Sequence, residues 1–420
     1  MFMAAVPQRS GGEPTCPRPA KDPGIIVITH ASSRIGQGSR QAALDWHAAL
    51  VTGLITSTFS TFVAQLTAAR VGRDALVDWM VVGAIPLRDL ALQAEPTWPF
   101  VVAGILFHQW ADITWALVFF GLLGRWTTRL GPWAILGVAV PWAVFTSSIE
   151  WLFLVPLVPF WRPLFTLEQP HWLGLVVHLA SSSLYPLFPW LRDRLAGRAP
   201  SPNRSFARTW AGLALAATLV LALLALFGSL DRELPYRGTE ASAAFDQAYM
   251  RRMAAHHTQG VEVAGIAAEK AADPHLRALV RLMVAVQKGE LAVFGQWWRS
   301  WIAGPLPQPL AQDHAAMPGM LAPEQITALR QASGPAFESL FVGLMTLHHE
   351  GAILMAQEAI ERSGDLRLRL MAQAIRHEQR GEIALMHGLS GPAAVRAAIS
   401  NLLTPAKPSG TVAMLRDGPS

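Results

Sequence analysis

The sequence predicts an all-α chain, with five or six transmembrane helices followed by a four-helix bundle made of two duplicated helix pairs. Three observations carry this. The first is a change of composition near residue 230. Residues 1–230 hold 16 Lys+Arg against 11 Asp+Glu, and residues 231–420 hold 18 of each, so the whole net charge of +5 belongs to the first half. The second is a series of long uncharged stretches in that half. The third is a repeat in the other half: Met253-Ala-Ala-His256-His257 returns 92 residues later as Met345-Thr-Leu-His348-His349. The same offset relates Phe245 to Phe337, Asp273 to Asp365, Gln287 to Gln379, Gly289 to Gly381 and Glu290 to Glu382. Matched residues at one fixed offset mark a duplicated unit.

Residues 1–45 read as a disordered tail, without the basic start and short apolar core of a cleavable signal peptide. The tail contains Cys16, and a single cysteine permits no internal disulfide and no cysteine-built zinc site. Residues 46–230 read as a helical membrane domain. Residues 209–230 are 22 uncharged, mostly apolar residues, enough to cross a bilayer. Residues 47–69, 130–149 and 169–191 are also uncharged and long enough, and 96–124 contain one charge, Asp112. Residues 75–94 carry Asp78, Arg88, Asp89 and a proline, which suits a poor sixth span or a re-entrant or surface helix. Arg125 and Arg129 follow one span, and Arg192, Arg194, Arg198, Arg204 and Arg208 separate the last two. Under the positive-inside rule both loops face the cytoplasm, which puts residue 231 onward outside. A basic N-terminal tail fits five spans with the N-terminus inside; Arg70 and Arg73 fit six with it outside. The five-span reading is preferred. Because the basic residues sit between apolar stretches, the isoelectric point of about 9.9 does not imply a nucleic-acid partner. The expected partner is the lipid bilayer.

His108 and Asp112, four apart on one helix face, and Glu150 and His178 lie in or near these spans. Ionisable residues in a membrane are expensive and often functional. They fit an ion or proton path, or internal pairs that fix helix packing.

In residues 231–403, apolar residues recur at helical spacing over 243–270 and 334–362, each followed by a second helical segment, 274–301 and 365–389. Asp273 with Pro274, and Asp365, make plausible helix starts. A Pro/Gly-rich connection, 302–322, and a short helix near 323–332 join the two pairs, which suits a four-helix bundle with ligands projecting inward. The tail after about 403 reads as disordered. In the second unit Met345, His348, Ala352 and Met355 share a stripe, as do Gln379, Glu382 and Met386 on the partner helix. In the first unit Val263 and Phe294 stand where the second has Met355 and Met386. The second copy is therefore expected to be the better soft-metal site. The linker adds His314, Met317 and Met320, spaced by three. Thioethers and imidazoles without cysteine favour Cu(I) or Ag(I) over zinc. Glu290 and Glu382 could join a harder ion or hydrogen-bond the imidazoles. Against this, methionine at helical spacing is commonly core filler, and paired His, Gln and Glu can simply specify a bundle core.

These residues resemble the domain-of-unknown-function-305 family, whose pattern is a Phe, then Met-x-x-His-His-x-Gly-Ala-x-x-Met-Ala, then a later Gln-x-x-Glu. The second unit reads FESLFVGLMTLHHEGAILMA and then HEQRGEIALM, and MPGMLAPEQITAL is similar to that family's linker. The first unit departs: Gln259 and Gly260 replace Gly-Ala, and Val263 replaces Met. The resemblance covers roughly residues 240–390. It implies a ferritin-like bundle, usually exported, tied in some members to copper or silver, with Met253, His256, His257, Met345, His348, His349 and Met355 as ligands.

The function expected is a membrane-anchored extracytoplasmic metal-binding protein, in the cytoplasmic membrane, that binds or buffers copper (Cu(I)) or another soft metal ion. The alternatives are a transporter or sensor whose membrane half moves an ion or signal, and a bundle whose histidine pairs are purely structural. An enzyme is less expected: a di-iron bundle wants Glu-x-x-His on two helices, and no matched positions supply it. No P-loop, Rossmann or nucleophile-elbow pattern occurs. Homo-oligomerisation is left open by the sequence.

Overall fold

The computed structural model describes residues 26–157, 163–302, 304–307 and 317–405, with side chains from residue 40. Among these residues every regular element is helical. The chain opens with α1 (Ile26–Thr67), so residues 26–45, expected as tail, are helical. Residues 1–25 and 406–420 of the two expected tails lie outside the described residues. Then come α2 (Ala75–Leu87), α3 (Trp98–Leu117), α4 (Gly124–Thr127), α5 (Pro132–Ile149), α6 (Val155–Leu157), α7 (Leu164–Glu168), α8 (His171–Ser183), α9 (Phe188–Leu195) and α10 (Arg204–Ser229). The second half contains α11 (Glu240–Lys270), α12 (Pro274–Trp301), α13 (Pro323–Gln331), α14 (Gly334–Arg362), α15 (Leu366–Met386) and α16 (Gly391–Leu403). No expectation covered α16, whose Ala394 and Ala398 pack against Trp151 and Leu167.

Among the described residues, five helices are long and apolar enough to cross a membrane: Arg40–Val71, Trp98–Leu122, Pro132–Leu157, Arg204–Ser229 and Gly334–Arg362. The last is α14 of the bundle, and over half of its apolar window is buried. By contrast only 6% of the α10 window is buried, so Leu213, Leu215, Leu219 and Leu223 have little protein to pack on. The expected span 169–191 is not one helix. It is α8, a 3-10 turn at Tyr185–Leu187, and α9, because Pro186 and Pro189 bring no N–H to the ladder. The stretch 75–94 is not a span either. The 13 residues of α2 rise only about 20 Å, and they lie along α12, with Asp74 at Gly289 and Asp89 bonded to His275.

The ends of the first-half helices sort into two groups. Arg70 at the end of α1 reaches Leu224 O of α10 and Glu233. Glu95, before α3, pairs with Lys288 of α12. Segment α7, between α5 and α8, packs on α15. The opposite ends carry Arg192, which donates to Thr128 O and lies 3.9 Å from Asp45.

The second half is built from α11 with α12 and α14 with α15, and α11 packs on α14. Side-chain caps start three of the four: Thr239 accepts from Ser242 N, Asp273 from His275 N with Pro274 at the first position, and Asp365 from Arg367 N. The repeated glycines serve the junction with the first half. A Cβ on Gly289 would lie 2.7 Å from Cβ of Asp74, the cap of α2, and one on Gly381 would lie 2.2 Å from Leu167 O in α7. Each repeat therefore has a notch, and each notch seats a different piece of the first half.

Candidate metal centre

The double histidines lie at the bundle centre, and all four imidazoles have no exposed surface. They form an inner and an outer pair. The inner pair is His256 and His348, whose rings lie 3.8 Å apart between centroids, tilted by 34°. Nε2 of His348 bonds the His256 carbonyl at 3.1 Å, and Nε2 of His256 bonds the Pro318 carbonyl at 3.2 Å. A carbonyl only accepts, so each Nε2 must carry the proton. Burial, together with the neighbouring imidazoles, holds both rings well below the ordinary histidine pKa. Each neutral ring therefore turns an Nδ1 lone pair inward, and neither Nδ1 has a partner among the described residues.

The outer pair is tied to carboxyls. His257 Nε2 lies 2.7 Å from Glu290 Oε2, and His349 Nε2 lies 2.7 Å from Glu382 Oε2. Burial pushes Glu382 up to about 8, with the Glu290 charge adding to it, and burial pushes His349 down to about 3. At neutral pH this is an uncharged carboxyl donating to an uncharged ring. It occupies Nε2 of His349, and Nδ1 of His257 and of His349, like those of the inner pair, has no partner among the described residues. Glu290 and Glu382, each only a few per cent exposed, are core and not solvated surface.

The methionines divide as well. Met253 of the first unit, Met317 of the linker and Met355 of the second unit share one packed cluster, and Met320 lies against it. Met345 belongs to the other cluster, where Met386 packs. In the second copy, expected from sequence to be the better soft-metal site, Met355 therefore packs in one cluster and Met345 and Met386 in the other. Helical stripes count positions on one helix, whereas the bundle assembles neighbours from three segments. His314 lies outside the described residues. No three His, Cys, Asp or Glu side chains are set to hold a metal among the described residues. Any site here depends on thioethers joining the imidazoles.

Sequence reasoning missed the linker backbone. Gly319, at φ +75°, lies against α14; a Cβ there would meet Leu347 O at 2.6 Å, and one on Gly351 would meet Pro318 O at 2.0 Å. The two glycines allow the Pro318 carbonyl to reach His256. Gln259, which stands at the position of Gly351 in the first unit, holds the same linker from the other side, accepting from Leu321 N at 2.7 Å and donating to Leu321 O at 3.0 Å. Gly260, where the second unit has Ala352, leaves room for Gln287: a Cβ would lie 2.2 Å from Gln287 Oε1 and 3.0 Å from His348 Cε1. The buried Gln287 amide has no partner among the described residues. The Pro-Gly pair in MPGM was the available signal.

Comparison with known proteins bears on this half of the chain. Residues 246–390 match the family described as Domain of unknown function (DUF305). This segment is a DUF305 domain. Three solved structures are similar to part of the chain. A DUF305 protein from Streptomyces coelicolor is 29% identical, covering 34% of this chain and 89% of that one, with a TM-score of 0.32. A DUF305 fragment from Deinococcus radiodurans is 24% identical over 36% of this chain and 96% of that one, with a TM-score of 0.33. CopM in its Cu(I)-bound form is 26% identical over 34% and 93%, with a TM-score of 0.29. No curated protein matches the chain. The family match spans residues 246–390, and the helices before residue 240 fall outside it.

Proposed function

We propose that the chain is a membrane-anchored protein whose DUF305 domain, outside the cytoplasmic membrane, binds or buffers Cu(I) or Ag(I). The observation that carries this is the inner histidine pair, whose two buried Nδ1 atoms have no partner among the described residues, in a bundle whose core also holds Met253, Met317 and Met355. Such groups normally find a partner. Imidazole with thioether suits a soft cation. His256 and His348 would hold the ion, with Met253, Met317 and Met355 as the thioethers at hand. The backbone carbonyls at each Nε2 fix the tautomer and ring orientation. The bound ion would supply affinity for further soft ligands, and the chain's own part is to present neutral donors in a closed apolar core.

The membrane reading is supported by the bare apolar surface of α10 and by the arginines at the ends remote from the bundle. Five crossings, by α1, α3, α5, the α8–α9 pair and α10, put Arg125, Arg129, Arg192, Arg194 and Arg198 on one side and the DUF305 domain on the other. The test is Cu(I) competition against a chelator, with the full chain in detergent. The wild type is expected to take up the ion, and His256→Ala with His348→Ala to lose at least about tenfold in affinity, about 1.4 kcal/mol. Unchanged uptake by the folded double variant would refute the site.

A further inference from the structure

A cavity of about 320 Å³ lies in the first half, among α1, α2, α3, α5, α7 and α8. That is within the size of small-molecule sites, roughly 300–1,000 Å³. Its lining is mainly apolar and includes four tryptophans, Trp79, Trp110, Trp115 and Trp151, with two acidic residues, Asp78 and Glu150. Trp110 is 56% exposed and marks an opening on the outer face of α3.

The hydrogen-bond inventory decides what such a space can hold. The indole N–H of Trp79 is given to Gln65 Oε1 at 2.9 Å, that of Trp115 to Glu150 Oε1, and that of Trp151 to Gln169 O at 2.9 Å. The Gln169 amide donates to Asp78 Oδ1 at 3.0 Å. His178 is held by Thr146 through Nδ1 at 2.8 Å and by Glu150 through Nε2 at 3.2 Å. Three of the four indole donors are therefore committed, so a guest meets mainly aromatic rings and carboxylate oxygens. The two carboxylates differ. Asp78 is matched by the Arg73 guanidinium at 2.6 Å. Glu150 faces imidazole and indole, and the ionisable groups acting on it are His178 and His108.

We propose that this cavity binds a lipophilic organic cation, an onium group on an apolar aromatic body. Such a cation needs no hydrogen-bond donor from its site. Indole is the strongest aromatic partner for a cation. The Glu150 carboxylate, which the cation would share with His178 at 3.2 Å, supplies the countercharge. A ligand recognised through carbonyl oxygens, such as a quinone, would find three of the four indole N–H groups already spent. The inference is independent of the metal centre, since the two sites share no residue.

The experiment uses the full chain in lipid nanodiscs, with empty discs subtracted. The probes are phenyltrimethylammonium and its uncharged isostere tert-butylbenzene, followed by equilibrium dialysis. The cation is expected to be retained at least about tenfold more tightly than the isostere. Glu150→Gln is expected to lower cation retention about tenfold and leave the isostere unchanged, whereas His256→Ala should change neither. Equal retention of the two probes by the wild type overturns the proposal, and this comparison holds even if Glu150→Gln does not fold. Undiminished cation binding in a folded Glu150→Gln protein overturns it too, as does tighter retention of an uncharged quinone such as menadione.

Discussion

The inner and outer histidines are chemically unlike although the sequence writes them as neighbours. The difference comes from what each Nε2 meets, a carbonyl that only accepts or a carboxyl that can also donate. This predicts a pH profile for the metal-free protein. His349 is depressed to about 3, so its contribution to stability is lost as pH falls below about 6.5 towards that value. Glu382 is raised to about 8, so its contribution is full below about 4.5 and is lost as pH rises through about 8. The thermal midpoint should therefore peak between about pH 4.5 and 6.5. Glu382→Gln should flatten the alkaline limb, where one such group contributes up to about 1.4 kcal/mol per pH unit, and leave the acid limb intact. A midpoint profile unchanged by that substitution would contradict the assignment. The four histidines and both glutamates were legible in the sequence, because duplication repeats them. Their protonation was not, since Pro318 O and the Glu290–Glu382 proximity are tertiary facts.

The helices followed from periodicity and caps, and Asp273, Pro274 and Asp365 begin α12 and α15 as expected. Legibility failed where proline interrupts an apolar stretch, at Pro186 and Pro189. It also failed where short polar-flanked segments gain order by packing, as in α7 and α16. The departures of the first repeat from the second became intelligible only with the linker in place. Gln259 grips the linker and Gly351 makes way for it. Gly351→Ala should thus force backbone apart and cost about 1–3 kcal/mol in thermal or denaturant unfolding, with the 317–320 turn newly open to proteolysis. Gly260→Ala meets only the end of a Gln287 side chain and should cost less. A reversed order of the two would show that the linker is not seated on α14 as described.

Between the two halves, Arg73 is buried at 5% exposure, bonded to Asp78 on α2 and to Glu378 on α15. Removing Arg73 strips Asp78 of its buried cation and takes the donor from the Glu378 carboxyl, which burial pushes up to about 8. Losing one partner of a buried ion pair typically costs about 3–5 kcal/mol. Arg73→Met should therefore lower the stability of the full chain by an amount of that order, read by thermal unfolding in detergent. A double change with Glu378→Gln should recover part of it. No loss in the single variant would mean that the halves are not joined through this charge. Sequence composition separated the halves near residue 230 but was silent on their contact, because each contributing residue looks ordinary in its own segment. The repeated glycines show what that contact entails. Gly289 and Gly381 arose as a copied pair, but what fills them did not: a capped helix start around Asp74 in one, the carbonyl of Leu167 from a five-residue helix in the other. Two unrelated pieces of chain have converged on equivalent positions. A substitution on either side of one notch must therefore be answered across the boundary, so the two halves are constrained to change together and not as interchangeable modules.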